Sequence, residues 1–431
     1  MTAETRDKLG RPVIAVTGIG LVTSLGVGKA VNWAKLTGGV SGIRQISRFP
    51  TAGLRTTIAG TVNDVYRDDM SPAELSERVA TLAGEEAIAE AAIGNSGHFP
   101  GPLFLAPPPL EIEWPERIKM AEMAAPDADP AYPELLRVAR EFAASRHAFK
   151  FGIIGEHLAE KFGTEGSPIS LNTACASGAS AIQLGMEAIR RGECQAALAI
   201  GADASLTPES LVRFSLLSAL STQNDPPERA SKPFSKNRDG FVLAEGAAAL
   251  VLENFDHAKA RGARVLGIIE GVGEKSDSFH RTRSSPDGKP IIASMRNALA
   301  DAGVAPEEID YINAHGTSTP ENDKMEHLGV SAVFGERIRG IPISSNKSMI
   351  GHTLTAAGAV EAAFTLLTLQ NQRIPPTINH SVPDPAIALD VVPNVARDAK
   401  VRRALSNSFG FGGQNVCLVM TLEPACSQRP G

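Results

Sequence analysis

Cys175, His315 and His352 are the residues whose types and settings could do chemistry together. Cys175 lies in TACASG, between a strand-like run and a helix of small residues starting near Ala176. A thiol there faces the positive end of a helix dipole, which favours the nucleophilic thiolate, and Gly178 allows another group to approach closely. His315 in NAHGTSTP and His352 in NKSMIGHTLTAAG each follow a strand-like run beside glycine, where a side chain faces a cavity. One thiol and two imidazoles at strand ends suit carbon–carbon bond formation between thioesters. Sulfur serves as both nucleophile and leaving group, and neutral imidazole N–H groups serve as donors to an enolate oxygen. That chemistry requires no metal.

A glycine-rich segment near the C-terminus, SNSFGFGGQN, places Phe409 and Phe411 among Gly410, Gly412 and Gly413 before the strand-like VCLVMTL. It reads as a hinged loop in which Phe411 moves as a substrate enters. Other motifs carry less. Gly18-Ile-Gly20 follows a strand but has Thr23 at the third glycine position of a dinucleotide fingerprint and no placed acidic partner. Lys232, Lys236, Arg238 and Asp239 read as a charged turn, solvated or ion-paired; Glu245 and Cys417 read as structural.

The elements that position these residues follow from alternation. β-branched apolar runs at 12–18, 168–174, 197–203, 265–271, 310–316 and 341–346 alternate with Ala-rich helical stretches. This predicts an α/β protein with buried, largely parallel strands. PISLNTACASGASAIQLGMEAI from Pro168 overlays PISSNKSMIGHTLTAAGAVEAA from Pro342, a shift of 342 − 168 = 174 residues. Duplication explains two such units, and two related halves would bring equivalent strand ends to one site. The expected division is 1–263 and 264–423, followed by a frayed tail over 424–431. The stretch 94–146 breaks the pattern and reads as an insertion with a strand at 103–106 and a helix from about Pro133 to Ala144.

Composition bounds the classes. Hydrophobic residues at 43% and charged residues at 21% are globular values, and a net charge of −6 argues against nucleic acid as a general partner. Cys175, Cys194, Cys417 and Cys426 form no CxxC pair, which fits a reducing cytoplasm without disulfides or structural zinc. No run approaches the ~20 apolar residues that span a bilayer, so membrane insertion is not expected.

Taken together, TACASG, ALSTQNDPPERASKPFSKNRDGFVLAEGA, NAHGTSTPENDKME, NKSMIGHTLTAAGAVEA and SNSFGFGGQN resemble the elongating β-ketoacyl-ACP synthases of the thiolase superfamily. The resemblance implies a thiolase-like five-layered αβαβα fold of two similar halves and a homodimer. It implies condensation of an acyl group with malonyl-ACP, with no resident cofactor because phosphopantetheine arrives on the carrier protein. By the same resemblance Cys175 is the acylated nucleophile, and His315 and His352 bind and polarise the malonyl thioester. Lys347 supports the second histidine electrostatically, and Glu326 organises the lysine and nearby backbone. The Cys175 and Phe411 N–H groups form an oxyanion hole, and Thr282, Thr317 and Thr319 contact phosphopantetheine. PLFLAPPP stands where the family has a glycine-rich strand end. The insertion, SFHRTRSSPDG and SMIGHTLTAAG resemble a proteobacterial branch associated with very-long-chain acyl groups of lipid A. A polyketide-type ketosynthase shares the chemistry, whereas a non-catalytic chain-length partner would lack the nucleophilic cysteine.

Overall fold

The computed structural model describes residues 5–424 except 69, 95–96, 127, 130 and 143–149. Ten strands carry the architecture: β1 (Ile14–Thr23), β2 (Leu103–Ala106), β3 (Ile169–Ser170), β4 (Ala196–Asp203), β5 (Gly246–Asn254), β6 (Gly267–Ser276), β7 (Tyr311–Asn313), β8 (Ile343–Ser344), β9 (Arg403–Phe409) and β10 (Gln414–Thr421). With the short strand Gly26–Val27 beside β1 they form an eleven-stranded sheet in the order β8-β7-β9-β10-β6-β1-β5-β4-β2-β3.

That order is a palindrome of the two halves. β3, β2, β4, β5 and β1 correspond to β8, β7, β9, β10 and β6, and each pairing type repeats. In each half the first two pairings are parallel and the next two antiparallel. The expectation of a largely parallel sheet is therefore corrected to a mixed one. The apolar runs gave no warning, because burial on both faces produces a continuous hydrophobic strand whatever its direction. The halves join where Ile14–Val16 pairs antiparallel with Gly267–Ile269.

Helices complete the layers: α1 (Pro72–Ala91), α2 (Trp114–Ala124), α3 (Tyr132–Ala139), α4 (Ser177–Arg190), α5 (Pro208–Leu216), α6 (Lys289–Ala302), α7 (Pro320–Phe334) and α8 (Ala357–Asn371). α1 and α6 cover the outer faces, and α4 and α8 form the central layer between the halves. α8 is buried around nearly its whole circumference, as AGAVEAAFTLLTLQN requires. α4 and α8 cross backbone to backbone. A Cβ on Gly178 would sit 2.5 Å from Ala359 N, and one on Gly358 would sit 2.5 Å from Ala179 N. The symmetry of this crossing refines the repeat: the strands are offset by 343 − 169 = 174 residues, the helices by 358 − 178 = 180. The second half thus holds six more residues between strand and helix, and His352 lies in that longer turn. Gly18 and Gly20 serve packing as well, since a Cβ on either would collide with the α1 carbonyls of Ala87 or Ala83.

Several local expectations change. The strand Leu103–Ala106 is the counterpart of β7 and pairs on both sides, so the departure from the repeat begins after Ala106 rather than at 94. Two helices follow, α2 and α3, and the latter ends at Ala139; positions 143–146, like the tail beyond 424 and Cys426, lie outside the described residues. Of the two readings of the charged turn at 232–239, ion pairing holds for Arg238, which binds Asp384 at 2.7 Å and approaches Asp323 at 3.6 Å, while Lys232 is buried and Lys236 is exposed. Glu245 immediately precedes β5, buried against Arg48 at 2.5 Å and accepting the Val62 N–H. Cys417 is core, as expected.

Candidate active site

Cys175 follows Ala174, whose φ of 51° lies in the left-handed region that side chains other than glycine rarely adopt. This bend turns the chain from β3 into α4 and leaves the thiol at the helix N-terminus. The expectation of a favoured thiolate is nevertheless corrected. Complete burial pushes the Cys175 thiol up to about 11, against the opposing pull of the Phe411 N–H and the Lys347 charge. Desolvation of a whole side chain exceeds what one helix end supplies. The resting group is a thiol.

His352 Nε2 lies 3.2 Å from Cys175 Sγ. The two imidazoles meet edge to face, with centroids 5.4 Å apart, and Cys175 Sγ and one ring nitrogen each of His315 and His352 lie within 4.8 Å of one another. Burial, helped by Lys347, holds both histidines well below their ordinary range, so both are neutral. Their tautomers follow from their other nitrogens. The Leu354 N–H donates to His352 Nδ1 at 3.3 Å, and the Lys347 ammonium faces His315 Nδ1 at 3.4 Å. Each ring therefore carries its proton on Nε2. Phe241 packs on His352 and Phe409 on His315, fixing both ring planes.

The supporting charges meet the expectation in part: Lys347 acts on His352 through its field and Glu326 holds nearby backbone, but the two are not partners. Lys347 donates to the His315 carbonyl at 2.7 Å and is paired with Glu361, not Glu326. It therefore contacts the first histidine and reaches the second only through its field. Glu326 accepts the backbone N–H groups of His315 (2.9 Å) and Gly316 (2.7 Å) and the Asn407 amide (3.0 Å). It shapes the loop after β7. Glu361 was missed, although a lone carboxylate within the apolar face of GAVEAAFTLL signals a buried charge that needs a partner.

The glycine loop closes the site. A Cβ on Gly410 would sit 2.8 Å from Thr173 O and 3.3 Å from Cys175 N, so the loop backbone rests directly on the nucleophile's own peptide. Gly412 N–H binds Arg281 O at 2.7 Å, tying the loop to the segment after β6. Phe411 and Cys175 border two cavities. One, of about 520 Å³, is lined by His315, His352, Thr282, Thr317 and Thr319 and by the cations Arg281, Arg283 and Lys324. The other, about 400 Å³, runs past Phe214 and Leu354 to Leu110 and Ile112 in the segment after β2. All the residues expected at the site thus converge, Glu326 from behind the loop.

The chain matches the family models described as beta-ketoacyl synthase, N-terminal domain, over residues 137–258 and beta-ketoacyl synthase, C-terminal domain, over 266–381. It is 37% identical over 424 residues to 3-oxoacyl-[acyl-carrier-protein] synthase 2 of Coxiella burnetii, covering 95% of this chain and 98% of that one. A beta-ketoacyl synthase from Burkholderia phymatum superposes with a TM-score of 0.82 at 32% identity, covering 96% of this chain and all of that one. A structure described as a type II PKS acyl-carrier protein in complex with its ketosynthase bound to the hexaketide gives 0.84 at 32%, with the same coverage. A duplicated mixed sheet, a cysteine between two neutral imidazoles and likeness along the whole chain agree: the chain belongs to the β-ketoacyl synthase family of condensing enzymes.

Proposed function

We propose that this enzyme condenses an acyl group held as a thioester on Cys175 with malonyl-ACP, releasing 3-oxoacyl-ACP, carbon dioxide and free ACP in fatty acid elongation. The observation that carries this reading is the meeting of two cavities at Cys175, with the Nε2–H groups of His315 and His352 on one side. Acyl-ACP enters through the larger cavity, where Thr282, Thr317 and Thr319 offer hydroxyls to phosphopantetheine and Arg281, Arg283 and Lys324 offer positive charge to its phosphate. Cys175 sulfur attacks the thioester carbonyl while the Phe411 and Cys175 N–H groups take the oxyanion charge, and the carrier thiol leaves with a proton. The acyl chain then lies in the smaller cavity.

Malonyl-ACP follows by the same route. Breaking its bond to the carboxylate releases carbon dioxide and leaves an enolate, whose oxygen accepts from the two Nε2–H groups. The enolate carbon attacks the acyl carbonyl and expels Cys175 as a thiolate, which takes up one proton from water to restore the resting thiol. Lys347, charge-paired with Glu361, keeps both rings neutral and His315 in the donating tautomer. Metal chemistry has no step in this scheme, and phosphopantetheine is supplied by the carrier.

A homodimer is part of the proposal. The two outer edges of the sheet differ: β8 is covered, with the Ile343 N–H donating to Asp390 O at 2.8 Å, whereas β3 shows no such cover among the described residues and exposes Ile169. An open apolar edge strand suits pairing with its own copy. Among the described residues no helix is long and apolar enough to cross a membrane, and a cytoplasmic site of action agrees with the free Cys175, Cys194 and Cys417. Polyketide extension is the second reading, favoured by the likeness to the hexaketide-bound ketosynthase; a non-catalytic partner is disfavoured by Cys175 itself.

Intact-mass analysis after incubation with acyl-ACPs of graded length, then with malonyl-ACP, tests the proposal. Acyl mass on Cys175 that disappears on adding malonyl-ACP supports it; an unmodified Cys175 with every donor sinks it. Very-long-chain primers, expected from the resemblance to the lipid A branch, should be included at the long end.

A further inference from the structure

The far end of the smaller cavity is built by residues outside the repeated half. After β2 the chain passes Pro109, Leu110 and Ile112 along the cavity wall before entering α2. This segment is held to α5 from two sides. The Trp114 N–H donates to Glu209 at 2.8 Å, and Arg213, one turn along α5, grips Glu111 through both carboxylate oxygens at 2.7 and 2.5 Å. Arg117 adds a second cation on Glu111 at 2.7 Å and ties back to the Ile112 carbonyl. Phe214, the neighbour of Arg213 on α5, lines the same cavity, as do Glu111, Arg117 and Arg213 themselves, so the ion pairs belong to its wall rather than to a separate patch.

The location decides how such a set behaves. The side chains of Arg213, Glu111 and Arg117 are 51%, 44% and 43% exposed, so water already solvates them. Exposed pairs are weak and are screened by salt. Each methylene taken out of water is worth about four-fold in affinity. An acyl chain that reaches this end therefore gains more from displacing the ion pairs than it loses by breaking them.

Resting on the acyl-cavity reading above, we infer that Glu111, with Arg213 and Arg117, is a displaceable closure of the distal acyl cavity and sets the chain length the enzyme accepts. Short primers stop before it. Long primers push the 109–117 segment away from α5, and the free energy of opening discriminates between them.

The test is the ratio of Cys175 acylation rates with stearoyl-ACP and octanoyl-ACP, read by intact mass. Glu111→Ala and Arg213→Ala should each raise this ratio about two- to five-fold, the worth of an exposed ion pair. Raising salt to about 1 M should move the wild-type ratio in the same direction. Glu193→Gln, which breaks the exposed pair with Arg191 on another surface, should leave it unchanged. A ratio that is unchanged or lower in both variants overturns the closure, as does an equal rise in Glu193→Gln. Absence of acyl mass on wild-type Cys175 with both primers overturns the acyl-cavity reading and the closure with it, whereas normal acylation with a flat ratio overturns the closure alone.

Discussion

His352 Nε2 lies 3.2 Å from Cys175 Sγ although 177 residues separate them, and the proton it carries points at sulfur because Nδ1 is occupied by the Leu354 N–H. The ring is therefore a donor to the thiol and to what replaces it, not the base that removes its proton.

His352→Ala should consequently lose more condensation than acylation. Condensation from pre-acylated protein is expected to fall by about 10²–10³-fold, the usual cost of one oxyanion donor, while acyl mass still accumulates on Cys175. Failure to acylate combined with normal condensation would reverse the roles. Cys175→Ala should abolish both steps and carry no acyl mass.

The thiol held up to about 11 predicts a specific alkylation profile. The rate of Cys175 modification by iodoacetamide should keep climbing through pH 9 and 10, because the reactive thiolate fraction rises until pH passes the thiol's own value. A plateau by about pH 8 would show the site to be more stabilising to thiolate than its burial implies.

Stability should fall in acid through the two imidazoles. Both are neutral in the folded protein with values well below 6.5, whereas in the unfolded chain they protonate near 6.5. The unfolded state binds more protons in that window, so stability rises with pH up to about 6.5 and is full above it, at ~1.4 kcal/mol per pH unit for each ring. Replacing one histidine with glutamine should reduce the slope of unfolding free energy against pH by one proton; an unchanged slope would contradict the assignment.

Glu361→Gln should damage the fold more than any exposed charge change. It leaves Lys347 buried without its carboxylate, and removing one partner of a buried pair costs ~3–5 kcal/mol. Denaturant titration measures it. Glu361→Gln with Lys347→Met should recover most of the stability without recovering condensation.

Gly410→Ala should separate activity from stability. The added Cβ would press on Thr173 O at 2.8 Å and on Cys175 N at 3.3 Å, lifting the loop from the nucleophile. A shift of less than an ångström suffices for about a 10- to 100-fold loss in turnover, with the thermal midpoint little changed. Equal losses in both would make the loop a structural brace.

The repeat, the family and the three side chains that meet at the candidate site were legible in the sequence because each is carried by local chemistry. A strand, a turn and a small-residue helix recur at Pro168 and Pro342, and glycine marks the tight places around Cys175, His315, His352 and Phe411. What the sequence could not decide depends on which elements become neighbours. Strand direction is invisible when both faces are buried, so the mixed sheet emerged only from pairing. The partner of Lys347 was settled by α8 crossing α4 at Gly178 and Gly358, which brings Glu361 inward while Glu326 turns to the backbone of His315. Helix position alone suggested a thiolate at Cys175, yet the packed site removes the water that would solvate it. The sequence determined which groups are available for the proposed chemistry; the tertiary structure decided their protonation, because desolvation belongs to the whole fold rather than to any segment of it.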